Sequence, residues 1–523
     1  MKRFGPKRCT NFLGQVLTYD ELAAMTDEIA AGLARQGIGV GSHIGLVLPN
    51  TPFFIAFFYA GLKLGATIVN FNPLYTVDEL AQQAKDAEVT VMVTVDIAAV
   101  FDKVGELVNR GLIEKVIVCP FASALPPVKR LLFTTFKRKE TAAVPAGGAF
   151  VRLQELRSHG RSYPKPDLDP QDIAVLQYTG GTTGTPKGVM LTHANLTINL
   201  QQVRLWFHGV ADGEERMMAI LPFFHVFALT GVMNFSIAYG FEMILMPRFN
   251  LIEALRLIRR TRATILPGVP TIFGAILNHR GVDPSDLASL KFCISGGAPL
   301  PVEIRKGFEK LSGCRLVEGY GLSETSPVTN INPFTGPSRD GSIGLPVPGT
   351  IEQIRSLDDP TQVMPTGEIG ELCIAGPQVM KGYWKQPQET AKVFTGNFLR
   401  TGDVGYMDED GFVFLVDRIK DIIIASGYKV YPRRIEEAVH EHPAVAEVTV
   451  IGIPDAYRGE APKAFVKLRD DASVTERELL EFLRPRLSKI ELPSAIEFRG
   501  ELPKTLIGKL SKKELRPAGP AAS

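Results

Sequence analysis

The segment from Tyr178 to His193, YTGGTTGTPKGVMLTH, carries the most distinctive pattern of chemistry-bearing residues in the chain. Its glycines allow tight turns and let backbone N–H groups approach an anion, its threonines add hydroxyl donors, and its lysine adds a positive charge. These residues are Thr179, Gly180, Gly181, Thr182, Thr183, Gly184, Thr185 and Lys187. A Gly/Thr run alone is typical of a flexible loop, and no Gly-Lys-Ser/Thr completes a Walker A pattern. The whole string, between strand-like IAVLQ and helical NLTINLQQVRLWF, indicates a loop that binds a polyphosphate.

The elements around this loop predict an α/β fold. Up to about residue 350, short β-rich runs such as HIGLVLP, TVMVTV and KVIVCP alternate with amphipathic helical stretches such as 19–37 and 251–263. This alternation predicts parallel and mixed sheets with helices. Between about 340 and 417, Gly- and Pro-rich turns separate shorter strands, which indicates a β-rich subdomain. We therefore predict a large N-terminal domain over 1–417, a hinge at 418–421 and a small, mobile α+β domain over 422–523.

Composition narrows the class of protein. The chain has 523 residues, of which 45% are hydrophobic and 22% charged, as in ordinary globular proteins. A net charge of +2 gives no overall positive electrostatic field that would bind nucleic acid. The five cysteines are scattered without a CxxC pair, which favours a reducing cytoplasm over a zinc or disulfide framework. The apolar stretch 217–247 is long enough to span a bilayer, but Pro222, Gly231, Gly240 and Glu242 divide it, so we expect a buried helix and strand.

Further motifs follow the Gly/Thr loop. They are SGGAP (295–299), EGYGLSET (318–325), RTGDVGY (400–406), VDRIKD (416–421) and PKTLIGK (503–509). Together with the loop, and in this order, they resemble the adenylate-forming superfamily of acyl-CoA synthetases, peptide-synthetase adenylation domains and luciferases. The resemblance implies a ligase that uses Mg²⁺ and takes ATP and CoA as co-substrates.

The resemblance also implies roles for individual residues. The residues of the loop, Thr179 to Gly184 with Lys187, would bind the phosphates, and the remaining nucleotide contacts would be Gly296, Gly297, Ala298, Glu318, Gly319, Tyr320, Ser323, Asp403 and Arg418. Asp403 and Arg418 would contact the ribose. Glu324 and Thr182 would hold Mg²⁺, and with Lys187 and Lys509 they would form the catalytic set. Lys420 would be the hinge, and Gly427 would leave room for the pantetheine arm of CoA.

The candidate substrate is a fatty acid. Amino-acid activators need a buried acid to pair the substrate ammonium, whereas LPFFHVFAL (221–229) offers only His225 among apolar groups. By resemblance, Phe223, His225 and Val226 would line the acyl pocket, with no proton transfer by the histidine. FNPLYTVDEL and the long string ending in ASGYKVYP look most like bacterial long-chain fatty acid–CoA ligases. The alternatives are a fatty acyl-AMP ligase that feeds a carrier protein, an aryl- or coumarate-CoA ligase, and a non-catalytic nucleotide-binding protein.

A basic amphipathic segment at 126–139, PPVKRLLFTTFKRK, predicts contact with an anionic membrane surface, with a solvated surface helix as the alternative. We expect a cytoplasmic protein whose segment 126–139 contacts the inner face of the membrane. A homodimer is left open. The chain begins close to the family's LTYDEL segment, so we expect a shorter first subdomain than is usual.

Overall fold

The computed structural model describes residues 2–158, 160–179, 186–505 and 508–516. In chain order, the strands of the large N-terminal part are β1 Arg8–Phe12, β2 Gln15–Thr18, β3 His43–Val47, β4 Thr67–Asn70, β5 Val91–Val95, β6 Lys115–Cys119, β7 Phe150–Arg152, β8 Ile173–Thr179, β9 Lys187–Thr192, β10 Arg216–Ala219, β11 Glu242–Leu245, β12 Ile265–Gly268, β13 Phe292–Gly296, β14 Leu316–Gly321, β15 Val328–Ile331, β16 Ser342–Pro346, β17 Ile351–Arg355, β18 Gly370–Ala375, β19 Gly382–Tyr383, β20 Phe394–Thr395, β21 Phe398–Met407 and β22 Val413–Arg418. The remaining strands are β23 Ile423–Ala425, β24 Tyr428–Val430, β25 Val445–Asp455, β26 Gly459–Leu468 and β27 Ala495–Phe498.

Helices alternate with these strands. They are α1 Tyr19–Arg35, α2 Pro52–Lys63, α3 Val77–Asp86, α4 Ala98–Asn109, α5 Pro127–Phe136, α6 Leu153–Arg157, α7 His193–Trp206, α8 Val226–Ala228, α9 Phe235–Tyr239, α10 Leu251–Thr261, α11 Pro270–Asn278, α12 Pro284–Leu287, α13 Val302–Ser312, α14 Pro387–Lys392, α15 Pro432–His440 and α16 Glu476–Leu483. A π-helical turn, Leu229–Asn234, joins α8 to α9. The start of α1 shows why these segments are helical: Thr18 and Glu21 form a capping box that satisfies N–H groups of the first turn.

The strands form three sheets. The largest follows the order β17-β18-β21-β22-β16-β15-β14-β13-β12-β10-β11-β1-β2, with β20 beside β21. The second follows β19-β9-β8-β4-β3-β5-β6-β7. Pairing from β10 to β14 and from β3 to β7 is parallel, as the alternation of strands and helices predicts. The third, β24-β23-β26-β25 with β27 beside β26, has its own apolar core around Ile423, Val450 and Leu483.

The predicted α/β class, with its large N-terminal part and small α+β C-terminal part, is confirmed. Apart from β19, the strands of the β-rich region after residue 340 belong to the largest sheet. Strand β16 pairs with β15 on one side and with β22 on the other, so this region continues the large sheet. Within the described ranges, no helix is both long and apolar enough to cross a bilayer. The apolar stretch 217–247 instead forms β10, α8, α9 and β11 inside the main core.

Candidate active site

The predicted ribose contacts come together at the junction of β14, β21 and β22. Asp403 is 3% exposed and pairs in register with Arg418 across β21 and β22. Its two oxygens are both used: Oδ1 accepts from Nε of Arg418 at 2.9 Å, and Oδ2 accepts from the Tyr320 hydroxyl at 2.5 Å. The carboxylate is therefore held in one orientation by a cation and a phenol. A fixed buried carboxylate with a neighbouring guanidinium is suited to accept hydrogen bonds from a diol.

Lys509 reaches this corner from the C-terminal end of the chain. The Thr271 hydroxyl donates to the carbonyl of Gly508 at 2.9 Å, which ties the segment to the start of α11. A methyl group built on Gly297 would lie 2.8 Å from Cε of Lys509, so the lysine side chain passes directly over this glycine. Burial, assisted by the Arg418 guanidinium and opposed by Asp403, lowers the pKa of Lys509 to about 8.

The predicted adenine-side motifs lie at the carboxyl ends of two adjacent parallel strands. SGGAP continues from β13 and EGYG ends β14, with Gly296 opposite Gly319 in the register. Ligands of open α/β sheets bind outside the carboxyl ends of strands, so the position of both motifs fits a nucleotide. Glu318 is buried there and accepts from the Leu300 N–H at 3.3 Å, and burial raises its pKa to about 7.

The predicted phosphate loop connects two antiparallel strands. Strand β8 ends at Thr179, strand β9 begins at Lys187, and these two residues are register partners. The motif thus contains a strand that the sequence did not reveal, ahead of helix α7. Gly180, Gly181, Thr182, Thr183 and Gly184 lie outside the described residues.

Tyr383 contacts both Glu324 and Lys187. These are the two residues of the predicted catalytic set on the phosphate side that the structure describes. Oε1 of Glu324 accepts from the Tyr383 hydroxyl at 2.9 Å. The Lys187 ammonium lies 5.0 Å from the centre of the Tyr383 ring and 2.6 Å from Oε2 of Glu389. Burial and the Glu324 carboxylate raise the pKa of Tyr383, so its hydroxyl stays protonated and donates. Ser323 precedes Glu324 in the same 3-10 turn, Ser323–Thr325.

The surroundings of Glu324 fit a magnesium ion bound together with nucleotide phosphates. Across the described residues, no three His, Cys, Asp or Glu side chains gather into a metal cluster. Mg²⁺ commonly takes one or two carboxylates and completes its shell with phosphate oxygens and water. The partly buried Glu324 has one oxygen held by Tyr383, and in the described structure no side chain hydrogen-bonds to the other. That second oxygen could bind the ion. Thr182, the other predicted metal contact, is outside the described residues.

The predicted acyl-pocket residues lie at the start of α8, next to Lys509. Phe223 and Val226 are buried, and the Phe223 ring packs 5.6 Å from that of Phe54. Burial, with a smaller contribution from Lys509, lowers the pKa of His225 to about 3. Its neutral ring accepts from the Phe227 N–H through Nδ1 at 3.3 Å. A histidine neutral over the working pH range agrees with a lining role.

The residues expected at the hinge and the CoA tunnel are both exposed. Lys420 is exposed in the 3-10 turn Ile419–Asp421. Gly427 is also exposed, in the left-handed region at φ +82°, and no described atom lies within 4 Å of a methyl group built on it. Just before the hinge, Asp417 accepts from the Arg433 N–H at 2.8 Å and so caps helix α15 from the end of β22; burial raises its pKa to about 6.

Sequence reasoning missed Tyr383, Glu389 and Thr271. Each acts through a contact between segments far apart in the chain: Tyr383 with Glu324, Glu389 with Lys187, and Thr271 with Gly508. None of the three residues stands in one of the motifs that resemble the adenylate-forming superfamily. The string GYWKQPQET contains two of them, but its pattern alone is that of a turn followed by a short helix.

The comparisons with known proteins agree with this geometry. The AMP-binding enzyme family matches residues 1–384, and the AMP-binding enzyme C-terminal domain matches residues 434–509. A long-chain-fatty-acid–CoA ligase of Bacillus subtilis is 44% identical over 98% of this chain and 92% of its own length. One of Escherichia coli is 37% identical over 96% and 90%.

Solved structures show the same fold. ATP-bound MatB from Rhodopseudomonas palustris has a TM-score of 0.86 and 28% identity, over 98% of this chain and 95% of its own. The O-succinylbenzoate coenzyme A synthetase of Bacillus subtilis, in complex with ATP and a magnesium ion, has a TM-score of 0.79 and 25% identity, over 96% and 95%. The chain belongs to the AMP-binding enzyme family.

Proposed function

We propose that this protein is an ATP-dependent long-chain fatty acid–CoA ligase. It converts a fatty acid, ATP and CoA into acyl-CoA, AMP and diphosphate through an acyl-AMP intermediate. The observation that carries the proposal is the position of the Lys509 side chain over Gly297 of the SGGAP motif, because the proposed chemistry needs a cation where the acyl carboxylate meets the α-phosphate. Two relatives that match nearly the full chain are long-chain-fatty-acid–CoA ligases. They favour a fatty acid over coumarate as the substrate, and CoA over a carrier protein as the acyl acceptor.

In the first step the fatty carboxylate attacks the α-phosphorus and diphosphate leaves. Two anions must approach one another, so the step needs charge neutralisation. Lys509 supplies it next to the α-phosphate, and Lys187 with the Gly/Thr loop supplies it along the outer phosphates. Glu324 would hold Mg²⁺, which would supply further neutralisation of the phosphate charge. Asp403 and Arg418 fix the ribose, which orients the α-phosphate for attack.

In the second step the CoA thiolate attacks the acyl carbonyl and AMP leaves. This step needs access for the pantetheine arm, whereas Lys509 now occupies the corner. We infer that residues 422–523 turn about Lys420, within the hinge 418–421, and bring Gly427 to the site. The exposed position and missing side chain of Gly427 suit a residue that lines a narrow tunnel after this rotation.

The substrate assignment is tested by AMP formation across straight-chain acids of increasing length, with and without CoA. Each buried CH₂ contributes up to about 0.8 kcal/mol, so kcat/KM should rise up to about fourfold per CH₂ until the pocket is filled. Lys509→Ala supplies the background rate. If acetate or coumarate gave a higher kcat/KM than dodecanoate, the fatty-acid assignment would be wrong. AMP formation that CoA does not raise, but a carrier protein does, would support the acyl-AMP ligase instead.

We also propose that helix α5 and the basic residues after it contact an anionic lipid surface. Val128, Leu131 and Phe136 are 71%, 67% and 79% exposed, an unusual arrangement for one short helix. Lys129 and Arg130 are exposed, but each donates to a backbone carbonyl, Lys129 to that of Leu13 and Arg130 to that of Ala122. The cations after the helix, Lys137, Arg138 and Lys139, are therefore the ones available to lipid, although Lys137 also pairs with Glu140.

Changing Lys137, Arg138 and Lys139 together to Gln should weaken binding to vesicles that contain phosphatidylglycerol. The loss should shrink in high salt, because charge attraction is screened within about 10 Å at 0.1 M. A control changes Arg477 and Arg484, exposed basic residues of the helix α16 region in the C-terminal part, to Gln. Equal vesicle binding by the triple variant and the wild type would make this segment ordinary surface.

A further inference from the structure

The segment from Gln378 to Tyr383 bridges the two sheets that carry the phosphate side of the site. On one side, the Lys381 N–H donates to the carbonyl of Met190, and Tyr383 pairs with Val189 of β9, the strand that Lys187 begins. On the other side, the Met380 N–H donates to the carbonyl of Glu324 at 2.8 Å. The Ser326 hydroxyl also donates to the carbonyl of Gln378. This segment therefore fixes the position of Glu324 relative to β9.

The side chain of Tyr383 adds contacts to those that the backbone of this segment makes. Tyr383 is 7% exposed, and its N–H donates to the Thr390 hydroxyl at 2.9 Å, so its own position is tightly set. From there its hydroxyl reaches Oε1 of Glu324 and its ring lies against the Lys187 ammonium. One side chain thus contacts both charged groups that we assign to the phosphate side of the site.

We propose that Tyr383 is a positioning residue for magnesium: its hydroxyl holds the Glu324 carboxylate so that the second oxygen faces the ion. This inference rests on the proposed role of Glu324 as the metal ligand. A glutamate has three side-chain torsions, and an unheld carboxylate would sample many orientations. A donor on one oxygen selects one orientation and leaves the other oxygen to the metal. Partners that orient metal ligands in this way commonly change metal affinity or activity by 10- to 100-fold.

Tyr383→Phe isolates the hydroxyl, because the ring that contacts Lys187 remains. The first measurement needs no turnover: Mn²⁺ binding to the complex with α,β-methylene-ATP, followed by electron paramagnetic resonance. We expect the dissociation constant of Mn²⁺ to rise by about 10- to 100-fold in this variant. In the adenylation reaction, the Mg²⁺ concentration for half-maximal diphosphate release should rise similarly, and excess Mg²⁺ should restore the rate. Conversion of supplied acyl-AMP and CoA to acyl-CoA should stay unchanged.

Two variants make the outcome specific. Tyr163→Phe removes a tyrosine–carboxylate hydrogen bond of the same kind, to Asp27 at 2.9 Å, in which neither Glu324 nor Lys187 takes part, and should leave Mn²⁺ binding unchanged. Glu324→Gln should weaken Mn²⁺ binding at least as much as Tyr383→Phe. If Glu324→Gln weakens binding and Tyr383→Phe does not, the positioning role is refuted while the proposed function stands. If neither variant weakens binding, Glu324 is not the metal ligand, and the inference falls with that assignment.

Discussion

The pKa of Lys509 makes the pH dependence of adenylation a direct test of its role. The lysine lies partly buried beside Arg418, and these surroundings lower its pKa to about 8 from the ordinary value of 10.5. Only the protonated form can neutralise charge between carboxylate and phosphate. At pH 7 about nine-tenths of the side chains are charged, and at pH 9 about one-tenth are. Adenylation should therefore fall by about tenfold between these values, whereas a lysine with an ordinary pKa would lose almost nothing.

The assay is diphosphate release without CoA, at ATP concentrations well below KM. Under these conditions kcat/KM reports the pKa of the free enzyme. At saturating ATP the bound phosphates stabilise the Lys509 ammonium and raise its pKa. The fall in kcat should therefore begin at a higher pH than the fall in kcat/KM.

Lys509→Arg is the matched control, because a guanidinium stays charged throughout this range. Its kcat/KM should be lower than that of the wild type but flat from pH 7 to 9. A tenfold fall in this variant as well would assign the pH dependence to another group. A flat profile in the wild type would refute the reasoning from burial.

Two further predictions concern the division of labour between the half-reactions. Lys509→Ala should form acyl-AMP about 10²- to 10³-fold more slowly, which is the usual loss for one electrostatic stabiliser. The same variant should still convert supplied acyl-AMP and CoA to thioester. Gly427→Leu should form acyl-AMP but not acyl-CoA. Both half-reactions are measured by chromatography of the acyl products, and loss of the same half-reaction in both variants would contradict the rotation. Gly297→Val should slow adenylation selectively, because φ is +82° and the first side-chain carbon would stand 2.8 Å from Cε of Lys509; an equal loss of the thioester step would point to misfolding instead.

The residues of the candidate site that the sequence indicates are those in contiguous motifs, and their roles stay predictions. Asp403, Arg418 and Lys509 belong to three separate motifs, and the structure brings them into one corner. Tyr383 and Glu389 were missed because their contacts depend on β19 pairing with β9, a tertiary arrangement that no local pattern encodes. No local pattern indicates that the strands after residue 340 continue the large sheet, because the link depends on the pairing of β16 with β22, which lie far apart in the sequence. Strand β9 was not predicted because it lies within the phosphate motif, whose many glycines and threonines are typical of a loop.

The contacts that hold the C-terminal sheet against helix α11 have a consequence for turnover. Arg280 pairs with Asp471 and Arg469 donates to Asn278, in exposed positions, while Thr271 holds Gly508 by one hydrogen bond. Exposed ion pairs contribute only about 0–1 kcal/mol each. In the proposed rotation, this region would dock and release once in every catalytic cycle, which weak and exchangeable bonds allow. Strengthening them would trap the product of the first step, so tighter docking would make a slower catalyst.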